Sequence, residues 1–171
     1  MSSIELMELI KKELYKETSK FVVYTDNIKE KPKLPFYSIK MTTLRQGVGE
    51  EGNRLHEFVD SKDSAFKWDY LEVLQSQPNA IISLMAYDKD MIGAMNTAYE
   101  AFNFFKFSGR RIFKEKGFVI VDVGDVQDRT VLNVDNYEYR YGFDLKVRYV
   151  EEIVSRVENI EEYKIKKGER K

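Results

Sequence analysis

The run "GVGEEG", Gly47 to Gly52, carries the letters of the G-x-G-x-x-G fingerprint. In a dinucleotide site those glycines let backbone N–H groups and a helix N-terminus approach a pyrophosphate. Glu50 and Glu51 would set carboxylates against the phosphates, and no apolar-periodic helix follows, so the run reads as a turn. Asp122, Asp125 and Asp128 in "DVGDVQD" are acids of the kind that hold a hard cation. Their spacing departs from the Ca²⁺ loop pattern and the first two fall in or at the end of a strand-like run, which reads as a solvated strand end. His56 is the only imidazole, so a site built on two is excluded. A Ser-His-Asp arrangement would have to recruit His56 from a polar stretch, and no nucleophile elbow frames any serine. The chain has no cysteine, which removes a disulfide framework, a thiolate metal site and a cysteine nucleophile together.

Two further charged groupings suit contact better than catalysis. "GRRIFKEK" gathers Arg110, Arg111, Lys114 and Lys116 within two turns at a helix end. There they either balance a helix macrodipole or donate to a neighbouring molecule. In "YEYRYGFDLKVRY", Tyr137, Tyr139, Tyr141, Phe143, Leu145, Val147 and Tyr149 occupy the odd positions, and Glu138, Arg140, Gly142, Asp144, Lys146 and Arg148 the even ones. Strand parity sends the odd set to one face, which must be covered. The even row mixes signs, which favours specific pairing over a general anion-binding surface.

The elements that position these residues follow from periodicity. The chain of 171 residues with 43% apolar content supports one folded domain, 1–171. Lys and Arg number 28 against 29 acids, so no global basic surface drives nonspecific nucleic-acid binding. No N-terminal signal pattern is visible and the apolar runs fall short of the roughly 18 residues of a membrane span, so the expectation is a cytosolic origin without a membrane. Residues 4–15 read as a short amphipathic helix, with Ser2 or Ser3 as its N-cap. "FVVYT", 21–25, and 36–45 read as strands, separated by a proline-rich connector. The polar stretch 46–69 reads as a β-arm or a loop, with Trp68 as a packing anchor. "AIISLMAY" is a buried strand, and Asp88 or Asp90 caps the next helix.

That helix, 91–107, is expected to be the main core helix, with Ile92, Met95, Tyr99 and Phe102 on one face and Ala98, Ala101 and Phe105 beside it; Gly93, Ala94, Ala98 and Ala101 would let its backbone approach a sheet, and it ends at Gly109 or after a further turn before Gly117. "FVIVDVGDV" is apolar on both parities, as a central strand would be. "QDRTVLNVDN" suits a hairpin-like return to the last long strand, in which Phe143, Leu145 and Val147 join the core. After Val150, the spacing fits a helix and the β-branched content fits extended chain, which is preferred; 161–171 forms a tail. Strands cluster around one helix, which predicts α+β with a largely antiparallel sheet packed by one long central helix and a short N-terminal helix.

The segments "LPFYSIKMTT" (34–43), "QPNAIISLMAYDKD" (77–90) with the Ala- and Phe-rich helix after it, and "VGDVQDRTVLNVDNYEYRYGFDLKV" (123–147) resemble the neck or tail terminator proteins of tailed bacteriophages. The most specific portion is the Asp128-Arg129 pair with Tyr137, Arg140, Gly142, Phe143 and Asp144. The resemblance implies a structural virion protein without enzymatic activity or cofactor. It implies a homo-hexameric ring that caps the head-proximal end of the tail tube, stops its polymerisation and meets the head connector, stopper or collar. Tube protein, and sheath protein in a contractile tail, would be its partners, and DNA only a passing cargo. Assembly would take place in the host cytoplasm, in a phage or in a headless bacteriocin. Arg110, Arg111, Arg129, Glu138, Arg140, Asp144, Lys146 and Arg148 are the candidate subunit contacts. Another neck or tail ring component, and a small nucleotide-binding enzyme using Gly47 to Gly52, are the competing readings.

Overall fold

The computed structural model describes residues 3–26, 30–47, 49, 52–64, 67–134 and 136–158. The chain divides into two compact units, Met1–Gly49 with Gln77–Val150, and Glu50–Ser76 with Glu151–Lys171. The fold is α+β, and its strand pairing is antiparallel except where β1 (Phe21–Tyr24) runs parallel to β2 (Phe36–Gln46). Among the described residues no helix is long and apolar enough to cross a membrane.

The larger unit is a sheet with strand order β1-β2-β5-β10-β6. Here β5 spans Asn79–Tyr87, β6 Phe118–Val123 and β10 Arg140–Tyr149. Short β7 (Gln127–Asp128) also pairs with β10, and β8 (Val131–Asn133) pairs with β9 (Asn136–Glu138). Alternation along β10 turns Phe143, Leu145 and Val147 to the helix side, where each is fully buried. Helix α1 (Ser3–Thr18) adds Leu6, Ile10 and Leu14 at four-residue spacing. It stops at Ser19, whose φ of 57° leaves the helical region while its N–H donates to Tyr15 carbonyl at 2.8 Å.

Helix α2 (Met91–Lys106) starts at Asp90, whose carboxylate accepts the Gly93 N–H at 2.7 Å. Its inner face is Ala94, Thr97, Ala98, Ala101, Phe104 and Phe105, all buried. This corrects the expected face: Ile92, Met95 and Tyr99 point outward and are exposed, and Phe102 is half-buried with its edge on Phe143. The helix is apolar on both sides, and the side with small residues wins the sheet because it lets the backbone come closer.

Gly109 does not end the helix. The chain breaks at Phe107 and continues as α3 (Ser108–Glu115), with Gly109 buried. A Cβ on Gly109 would lie 2.9 Å from the Phe104 carbonyl oxygen. Among the described residues the helix layer holds three helices, and α1 and α2 have 16 residues each, so α2 is not its one long helix. Strand β6 is an edge strand, not a central one, and Val119 and Val121 are exposed on its uncovered face.

The smaller unit is a three-stranded antiparallel sheet, order β11-β4-β3, with β3 at Asn53–Asp60, β4 at Trp68–Ser76 and β11 at Glu151–Glu158. The polar stretch is thus a hairpin extended by β11, so the chain after Val150 is extended as far as Glu158. Asp69, nearly buried, accepts Arg156 Nε at 2.6 Å and ties β4 to β11. The tail 161–171 lies outside the described residues, as does Ser2.

Candidate intersubunit surface

One face of the larger sheet carries the helices; the other carries the even residues of β10. Register places Lys40, Ser83 and Asp144 in one row and Ser38, Met85 and Gly142 in the next. Gly142 is required by this packing, since a Cβ there would lie 2.4 Å from the Leu84 carbonyl oxygen.

The candidate contact residues separate into two groups on this scaffold. Arg129, after β7, places Nη1 on Ser83 Oγ at 2.6 Å and Nη2 on Asp144 Oδ1 at 3.1 Å. Arg140 Nε donates to the Arg129 carbonyl, and its Nη1 lies 3.8 Å from Glu138 Oε1. Glu138 also takes the Lys31 ammonium. The backbone register of β7 against β10, Tyr141 opposite Asp128, brings these groups together. Arg129, Arg140, Glu138 and Asp144 therefore already have partners within the subunit.

Asp128 belongs to the same corner. Its carboxylate accepts the Thr130 N–H at 2.8 Å, and hydrogen bonds from Thr130 hold its pKa below the usual carboxylate value. Desolvation and then the Asp128 charge raise Tyr141.

The second group is unengaged. Arg110 and Arg111 are exposed on α3 and make no ion pair or hydrogen bond among the described residues. Lys146 is half-buried on the open face of the sheet. Among the described residues Arg148 Nε is buried without a hydrogen-bond partner, and so is Oδ1 of Asn79, its cross-strand neighbour. Two such orphan polar atoms side by side mark a polar seam at the end of β5 and β10.

Sequence reasoning missed a cleft of about 380 Å³ at the other end of the sheet. Its floor is Phe36 stacked on Tyr87, centroids 4.6 Å apart and 5° from parallel. Tyr137 and Tyr139, also stacked, and the Lys31–Glu138 pair form its rim. The aromatic content of 36–37 and 137–141 was visible, but the cleft depends on the β8–β9 hairpin meeting the 31–36 connector.

Among the described residues the alternative chemistries find no site. Gly47 to Gly52 links β2 to strand β3, so the strand-to-helix context of a dinucleotide loop is missing. Gly52, with φ of 91°, sits so close to the Gln75 carbonyl that a Cβ would lie 2.5 Å from it. His56 is exposed on β3, 3.9 Å from Glu72 and beside the Tyr70 ring. Trp68, 40% exposed at the start of β4, has the Lys67 ammonium over its ring. No group of three His, Asp or Glu side chains that could hold a metal occurs among the described residues.

No curated protein matches the chain. A family model described as phage neck terminator protein matches residues 5–170. That span takes in nearly all of both units, and the chain belongs to the phage neck terminator family, as a structural component of the phage neck and tail.

Proposed function

We propose that the chain is the subunit of a closed homo-hexameric ring at the head-proximal end of the tail tube. There it stops tube polymerisation and presents a surface to the head connector, stopper or collar. The observation that carries this reading is the amount of contact surface the subunit leaves open. Helix α2 exposes Ile92, Met95 and Tyr99, and α3 exposes Arg110 and Arg111. A helix apolar on two sides is built to be covered twice, once by its own sheet and once by something else. A ring needs a patch that meets a different patch on the next copy, so that one rotation closes.

The near-neutral charge, −1 overall, suits a channel that DNA crosses without being held by counterion release. The contact with sheath protein belongs to a contractile tail, of a phage or of a headless bacteriocin. The test is polymerisation of tail tubes with and without the purified protein, followed by electron microscopy. The reading expects tubes of bounded length with a ring at one end. Tubes that grow past the added protein, or filaments of the protein itself, would favour a tube component instead.

A further inference from the structure

Each unit leaves one surface without a partner among the described residues, and the two surfaces are complementary. On the helix layer, Ile92, Met95 and Tyr99 are 66%, 37% and 53% exposed. The break at Phe107 leaves its ring 87% exposed at the head of α3. Arg110, Arg111 and Lys114 follow three, four and seven residues later, on the face opposite buried Gly109 and Phe113. Among the described residues none of these three side chains makes an ion pair or hydrogen bond.

In the smaller unit, β3 is an edge strand among the described residues. Parity sends Leu55 and Glu57 to one side of it and Phe58 and Asp60 to the other. Each side therefore offers an exposed apolar side chain two residues from an exposed carboxylate, and among the described residues neither carboxylate forms an ion pair. Among the described residues no helix belongs to this unit. The charges of the units oppose each other. The larger holds 19 Lys and Arg against 16 Asp and Glu, a net of +3, and the smaller holds 9 against 13, a net of −4.

We propose that strand β3 of one copy docks on the helix layer of a second copy. Leu55 covers the Ile92, Met95, Tyr99 and Phe107 surface, and Glu57, on the same side of the strand, faces Arg110, Arg111 and Lys114. Apolar burial drives the contact, and the opposed charges fix its orientation and register. The two patches differ, so the contact is head-to-tail and passes round a ring. This inference rests on the ring reading above and names the surfaces that make it.

The test uses two variants of the full chain. One carries Arg110→Glu, Arg111→Glu and Lys114→Glu; the other carries Glu57→Lys. Circular dichroism first establishes that both fold. Each alone sets like charges against each other, and the concentration for half-assembly rises by about tenfold or more. An equimolar mixture restores wild-type mass in light scattering, because alternating copies again meet opposite charges.

Variants that assemble as well as wild type would overturn the contact and leave the ring reading standing. A mixture that stays at single-chain mass, while one chain carrying both sets assembles, would place the docking within a chain and overturn it too. Wild-type protein that stays at single-chain mass, alone and on tail tubes, would remove the ring reading and the contact together.

Discussion

Arg129 lies between Ser83 and Asp144, with one guanidinium nitrogen 2.6 Å from the serine hydroxyl and another 3.1 Å from the carboxylate. The ion pair bridges the β7 segment to β10 and is spent inside the subunit.

The pair should therefore affect stability more than assembly. A double-mutant cycle of Arg129→Ala and Asp144→Ala, read by urea unfolding, is expected to give a coupling of about 0.5–1 kcal/mol, as for partly exposed pairs. Arg129→Ala should cost more than Asp144→Ala because it also strips Ser83 of its partner. Solution mass should not change in either variant. An Asp144→Lys protein that unfolds normally but no longer assembles would make this pair an interface element.

The two faces of α2 should respond oppositely. Phe105→Ala, fully buried against Phe113 and Phe143, is expected to cost about 3–5 kcal/mol. Ile92→Asn, on the outer face, should change stability by less than about 0.5 kcal/mol and weaken self-association. Equal losses of stability from the two would put Ile92 back in the core.

Gly142→Ala should destabilise the subunit by about 1–3 kcal/mol, the usual cost of overpacking. The new methyl group would meet the Leu84 carbonyl oxygen, a backbone atom held in the β5–β10 ladder. Thermal melting of this variant beside Gly47→Ala, where nothing lies within 4 Å, isolates the effect.

Alkaline pH should weaken the larger unit through two tyrosines. Burial, and then the Glu100 charge, raise Tyr37 well above the ordinary value of 10.0; its hydroxyl donates to the Thr97 carbonyl at 3.0 Å. Desolvation and the Glu8 carboxylate push Tyr24 up to about 12. A folded-state pKa raised in this way favours the neutral phenol. The stability it contributes is whole below pH 10 and is lost as pH rises through the folded values. The melting temperature should therefore fall above pH 10, and less steeply in a Tyr37→Phe, Tyr24→Phe protein. That double variant should lose about 1 kcal/mol per hydrogen bond at neutral pH. Equal alkaline slopes in the two proteins would assign the loss to other groups.

The parts of the fold that were legible are those where local pattern decides. Alternation in 141–149 is a period of two with one covered face, and Asp90 is an acid at the start of a helical run; both are local facts. Helix α2 misled because its larger apolar side chains, Ile92, Met95 and Tyr99, face away from the sheet. Pattern shows that a face is apolar but not which apolar face the subunit itself covers. The same limit applies to β6, where Val119 and Val121 looked like central-strand residues and lie on the open face of an edge strand. The engagement of Arg129 with Asp144 needed the β7–β10 register, which no local signal carries. The unpaired state of Arg110 and Arg111 is likewise a property of what surrounds α3 in space.

The central claim, a closed ring, is tested most directly by the solution mass of the purified 20.2 kDa chain, measured by light scattering over a range of concentrations and joined to images of the particles. The account predicts one discrete species of six chain masses that appears as a ring and does not grow with concentration. A single-chain mass at every concentration, unchanged by added tail tubes, would contradict it.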